Sequence, residues 1–113
     1  MGDIQGATLT ERVVLAGILN LSTRGETPAD SSDVRRAVRE RLAETDADVG
    51  GVPSEADVIR AMESLRGAGL LEEISREDTS PVGKGRPRYG LEASGTELRD
   101  ALASDERVAA LVA

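Results

Sequence analysis

The stretch from Leu9 to Leu21 constrains the fold of this chain more than any other. Leu9, Val13, Val14, Ala16, Ile18, Leu19 and Leu21 make a helix apolar around most of its circumference. Such a helix has no face to spare for water, so it lies at the centre of a core or against a partner chain. It starts at Thr8 or Thr10, with Thr10 placed as an N-cap, and runs to about Ser22. Arg24-Gly25-Glu26-Thr27-Pro28 ends it, because Gly25 suits the position after a helix and Pro28 blocks continuation. Residues 1–8 carry no periodicity and form a loose N-terminal arm.

A second helix, capped by Ser31 or Ser32, spans Asp33 to about Glu44 with Val34, Ala37, Val38 and Leu42 as its buried stripe. Residues 45–53 are an acidic, glycine-containing loop. Ser54 caps a third helix, with Asp57 in the position of a capping-box acid. Its inward residues are Val58, Ile59, Met62 and Leu65, and Gly67-Ala68-Gly69 stops it. Leu70 to Arg76 and Arg86 to Glu92 read as two strands joined by a long loop, Glu77 to Gly85. Alternation puts Tyr89 and Leu91 on one face of the second strand and Arg86 and Arg88 on the other. Ser94 caps a fourth helix through Leu98 and Leu102, and Ser104 restarts it toward Val108, Leu111 and Val112.

Composition removes several classes of function. The 113 residues fit one domain, and no apolar run is long enough to span a membrane. No basic-then-apolar leader opens the chain, so the expected compartment is the cytoplasm. Cysteine and histidine are both absent, which excludes thiol chemistry, the commonest metal ligands and the usual general base. No acid pair sits in a metal or hydrolase motif, so neither a cofactor nor an enzyme is expected. The formal net charge is −7, lysine occurs once and there is no Phe or Trp. Such acidity with small apolar side chains resembles proteins of extreme halophiles, where carboxylates keep the surface hydrated in concentrated salt.

Against that background, Thr79 to Leu91 holds Lys84, Arg86 and Arg88 and no anion. The single lysine and the single aromatic residue, Tyr89, both lie in it. Glycines and prolines stop it from forming a helix. A cationic loop feeding a strand is a device for holding a polyanion.

The order helix, helix, helix, hairpin, helix resembles the winged helix-turn-helix. Two stretches carry the likeness. Asp57 to Glu72 is similar to a recognition helix running through Gly69-Leu70-Leu71 into a wing strand. Gly85-Arg86-Pro87-Arg88-Tyr89-Gly90-Leu91-Glu92-Ala93-Ser94-Gly95 is similar to the second wing strand of PadR-like and MarR-like transcription regulators, although Glu92 stands where that pattern has Thr. The loop before the third helix is also longer than the tight turn of a strict helix-turn-helix. Lys84-Gly85-Arg86-Pro87-Arg88 further resembles a minor-groove hook built on Arg-Gly-Arg-Pro, a frame thin enough for a groove about 6 Å wide.

The resemblance implies an α+β, mainly α, winged helix over residues 9–92, with residues 93–113 as a C-terminal helical segment. It implies sequence-specific binding of double-stranded DNA by a transcription regulator. The third helix would lie in the major groove, with Ser54, Arg60 and Ser64 at the bases and phosphates. Lys84, Arg86 and Arg88 would lie in the minor groove, and Arg35, Arg36 and Arg39 would reach the backbone. A homodimer through Val14, Ile18, Leu21, Val108 and Leu111 is the expected assembly. A protein-interaction module without direct DNA contact is the alternative, and the acids at the start of the third helix favour it.

Overall fold

Helix α1 (Leu9–Thr23) runs through the middle of the domain. In the computed structural model, which describes residues 4–74 and 87–113, it is followed by α2 (Ser31–Glu44) and α3 (Glu55–Gly67). Then come β1 (Leu71–Ile74), β2 (Arg88–Leu91), α4 (Gly95–Ala103) and a closing 3-10 turn at Ala109–Val112. This is the expected mainly helical α+β architecture, a winged helix.

The N-cap of α1 is Thr8, not Thr10. Glu11 N–H donates to Thr8 Oγ1 at 3.1 Å, and Thr8 N–H donates to Glu11 Oε1 at 3.0 Å. This reciprocal pair satisfies two groups that a Thr10 cap would leave to water. Every residue from Val13 to Leu19 is buried, because α2, α3, α4, β2 and the closing turn cover different sides of the helix. Gly17 sits where α2 crosses, and a Cβ there would lie 2.7 Å from Val38 Cγ2 and 3.4 Å from the Val34 carbonyl.

The side chains expected at a dimer contact are consumed by this core. Val14, Ile18 and Val108 are 0% exposed, Leu111 2% and Leu21 5%. The chain after α4 folds back on α1, so these residues present no surface to a second copy. Ser104 does not restart a helix. It is the C-cap of α4, with its N–H on Ala101 and Leu102 carbonyls. The final turn is fastened by side-chain donors: Asn20 Nδ2 and Arg41 Nε on the Leu111 carbonyl, and Arg99 Nη1 on that of Val112. At the other end Arg12 donates to the carbonyls of Ile4, Gln5 and Ala7 and to Asp105 Oδ2, at 2.9 to 3.3 Å.

Helix α2 begins one residue earlier than a serine cap would place it. Asp30 accepts from Asp33 N–H at 2.9 Å while Asp33 accepts from Asp30 N–H at 3.3 Å, and Ser31 is buried instead. Val34, Ala37 and Val38 form its buried stripe, with Leu42 half-buried at the end. In α3, Ser54 is the cap, accepting from Asp57 N–H at 3.1 Å. The inward stripe is Val58, Ala61, Met62 and Leu65. Ala61 joins the core, and Ile59, expected to face inward, leaves it with 43% of its surface exposed. Positions 58, 61, 62 and 65 follow the i, i+3, i+4, i+7 spacing of one face, and Ile59 falls about 100° off it.

The strands pair antiparallel with Leu71 opposite Leu91 and Glu73 opposite Tyr89. An isolated bridge from the turn between α1 and α2 adds to the sheet on the other edge of β2. Ala29 N–H donates to the Tyr89 carbonyl at 2.9 Å and Tyr89 N–H donates back at 2.8 Å. β2 is therefore flanked on both edges, with both backbone groups of Tyr89 bound to Ala29, and the Tyr89 side chain is buried as alternation requires.

Candidate nucleic-acid interface

The outward face of α3 presents Glu55, Ala56, Ile59, Arg60, Glu63 and Ser64 to solvent. Arg60 is its only cation before the last turn, and it is tied down: Nη2 donates to Asp57 Oδ1, one turn back. Asp57 in turn holds its carboxyl below the usual carboxylate range, because it accepts from Ser54 first and from Arg60 second. Ser54 is exposed, yet its hydroxyl is engaged in the cap. Arg60 and Ser64 face Thr8, Thr10 and Glu11 across a cleft of about 390 Å³ where the start of α1 meets α3. Of the expected trio, Arg60 and Ser64 share this cleft, with the arginine in a mixed-charge setting, whereas Ser54 is the N-cap of the helix and does not line it.

The other expected arginines divide. Arg35 Nε donates to the Pro53 carbonyl at 2.9 Å, so it anchors the loop leading into α3 rather than pointing freely outward. Arg36 is exposed and pairs with Asp33 at 3.4 Å. Arg39 is exposed without a partner among the described residues. Arg88 lies on the strand face opposite Tyr89 and lines a cleft of about 380 Å³ with Arg24, Glu26, Pro28, Asp33, Arg36 and Glu40. The fold therefore brings Arg36 and Arg88 together, with Arg24 as a third member that sequence reasoning missed. It does not bring them to Arg60, which belongs to the α1–α3 cleft. Arg24 escaped notice because it ends α1, where no periodicity marks it. Lys84 and Arg86 lie outside the described residues.

Tyr89 supports the hairpin from inside. Burial pushes its phenol pKa up, Glu73 and Glu63 add to this, and Arg66 opposes it. Arg66 also approaches Glu73 at 3.9 Å, linking the last turn of α3 to β1. Beside Tyr89 is a small, largely apolar hollow of about 110 Å³, walled by Ile59, Met62, Pro87, Tyr89, Ser31 and Glu55. The hollow had no sequence signal, while the exposure of Ile59 was signalled only by its place off the stripe of 58, 61, 62 and 65, since its side chain is that of a core residue. Among the described residues no group of acids is placed to hold a metal ion, and no helix is long and apolar enough to cross a membrane.

No protein-family model matches the chain, and no curated protein matches it. Among solved structures it is similar to the Orc1 protein of Aeropyrum pernix in complex with DNA, with a TM-score of 0.72 and 22% identity. The match covers 96% of this chain and 27% of that one. The likeness is one of fold: nearly the whole chain superimposes on about a quarter of a larger protein.

Proposed function

We propose that this chain binds double-stranded DNA through its winged helix and regulates transcription by occupying its site, without catalysis. The observation that carries the reading is the fold itself, with an α3 face open to solvent, similar in fold to a protein solved in complex with DNA. In this reading α3 enters the major groove and Lys84, Arg86 and Arg88 follow the minor groove, where narrow A·T tracts attract arginine. Arg60 exchanges its intrahelical partner Asp57 for a guanine edge. The PadR-like and MarR-like resemblance of the wing strand supports the regulatory role, and the halophile-like composition supports action in concentrated salt.

Phosphate contacts weaken with salt, with a slope of about −0.9 per neutralised phosphate. A protein acting in molar salt then depends on base edges and groove shape. The test is selection from a random duplex pool in molar KCl, followed by affinity measurement on the selected site. Arg60→Ala is expected to cost about 1–3 kcal/mol and to relax preference at one base pair. Arg86→Ala with Arg88→Ala is expected to reduce retention on all duplexes. Failure to retain any duplex at low or high salt would refute the reading.

One observation favours a second reading. Glu55, Asp57 and Glu63 outnumber Arg60 along the outward part of α3, and Arg60 is already paired. Such a face would repel phosphates and suit a basic protein partner. Absence of DNA retention by the wild-type chain, with capture of a basic polypeptide lost on Glu63→Lys, would establish that role instead.

A further inference from the structure

We infer that Ile59 reads the C5-methyl group of a thymine, which makes it a specificity-determining residue of α3. The inference rests on the DNA-binding reading above and adds to it the identity of a base. Ile59 is one of two large apolar side chains left exposed among the described residues, at 43%. The other, Ile74, is on β1 opposite Arg88, on the sheet face away from Tyr89 and its hollow. Ile59 therefore stands as the one large exposed apolar side chain of α3, with only the small Ala56 as an exposed apolar neighbour on its face, Glu55 one turn before it and Glu63 one turn after it.

That pattern discriminates between occupants. A protein partner needs contiguous apolar area around a buried anchor. A base edge needs only one apolar contact, because the thymine methyl is the apolar feature of the major groove. The hollow that Ile59 shares with Met62, Pro87 and Tyr89 is about 110 Å³, enough to receive a methyl group and small for a protein anchor such as Trp or Arg. The neighbouring acceptor fits the same base pair. Ser31 Oγ donates to Glu55 Oε2 at 3.3 Å and holds that carboxylate beside the hollow. The partner of a thymine is adenine, whose N6 amino group is a donor on the same major-groove edge. The apolar side chain thus complements the thymine methyl, while the carboxylate one helical turn before it can accept from an exocyclic amino group of adenine or of a neighbouring cytosine.

The experiment uses the full chain and the duplex obtained by selection. Each thymine is replaced singly by deoxyuridine, which removes the methyl and leaves the hydrogen-bonding groups intact. At one thymine per site the wild type is expected to bind about fourfold more weakly, the equivalent of about 0.8 kcal/mol for one buried carbon. Ile59→Ala is expected to bind the thymine duplex with a similar loss and to be indifferent to deoxyuridine at that position. Ile59→Val, which keeps an apolar branch, should retain part of the discrimination, and circular dichroism should show both variants folded as expected for an exposed site. Equal wild-type affinity for every deoxyuridine duplex would overturn the inference while leaving DNA binding intact. So would an Ile59→Ala chain that keeps full sensitivity to the methyl. A chain that selects no duplex overturns both readings together.

Discussion

Gly17→Ala is the substitution in which two opposing effects can be weighed most directly. In an exposed helix the change would stabilise by about 0.8–1 kcal/mol through backbone propensity alone. At Gly17 the new methyl would meet Val38 Cγ2 at 2.7 Å, a separation that packed carbons do not tolerate. The obstacle cannot swing aside: Val38 is 2% exposed, its branched side chain has one favoured rotamer in a helix, and α2 carries it. Overpacking of this kind costs about 1–3 kcal/mol, so the net expectation is a loss of up to about 2 kcal/mol. For 113 residues each kcal/mol corresponds to about 4 °C in Tm. Thermal and urea unfolding of the parent and variant, in the same salt, read this directly. The cause is isolated with Val38→Ala, which removes the obstructing methyl and leaves the Val34 carbonyl at 3.4 Å and Val34 Cγ1 at 3.5 Å as the nearest atoms. In that background Gly17→Ala should become neutral or stabilising, a coupling of about 1–3 kcal/mol. A Gly17→Ala chain that melts at or above the parent, or that loses the same amount in both backgrounds, would refute the argument that helix spacing is set here by a missing side chain.

Acid stability should depend on Asp105. Arg107, first, and then Arg12 hold its carboxyl well below the usual carboxylate range, against 3.8 for the free group. A depressed folded pKa contributes stability that is present above the unfolded value and lost as pH falls toward the folded one. Asp105→Asn should therefore lower the urea midpoint near neutrality and flatten its decline below about pH 4; an unchanged acid limb would count against this pair of contacts. Because the apolar residues of α1 and the closing turn are buried within one chain, sedimentation in molar KCl at micromolar concentration should give a single 11.9 kDa species. A dimer dissociated by Leu111→Asp without unfolding would overturn that assignment.

Much of the architecture was legible because its signals are local. Ser54 and Ser94 announce helix starts by side-chain chemistry, and the alternation around Tyr89 places the ring inside. The errors have equally local causes. Asp30, Ser31 and Ser32 are all good caps, and only the reciprocal bond from Asp33 decides among them. The rung between Ala29 and Tyr89 is a single bridge, too short to leave a period-2 pattern. Val108 and Leu111 looked surplus because nothing in their spacing says that Asn20, Arg41 and Arg99 draw the last turn back onto the core. Arginines were the least legible of all. Arg35, Arg36 and Arg39 are near neighbours in sequence, yet one anchors a loop, one pairs within its helix and one faces water.

The burial of α1 on every side gives the domain an internal gauge. Amide protons of Val13 to Leu19 meet water only when the whole domain opens, so their hydrogen exchange follows the global free energy of unfolding. Any ligand that binds the folded chain raises that free energy by RT ln(1 + [L]/Kd). The helix farthest from an outside partner is thus where occupancy of α3 or the wing would be recorded, residue by residue, as slower exchange.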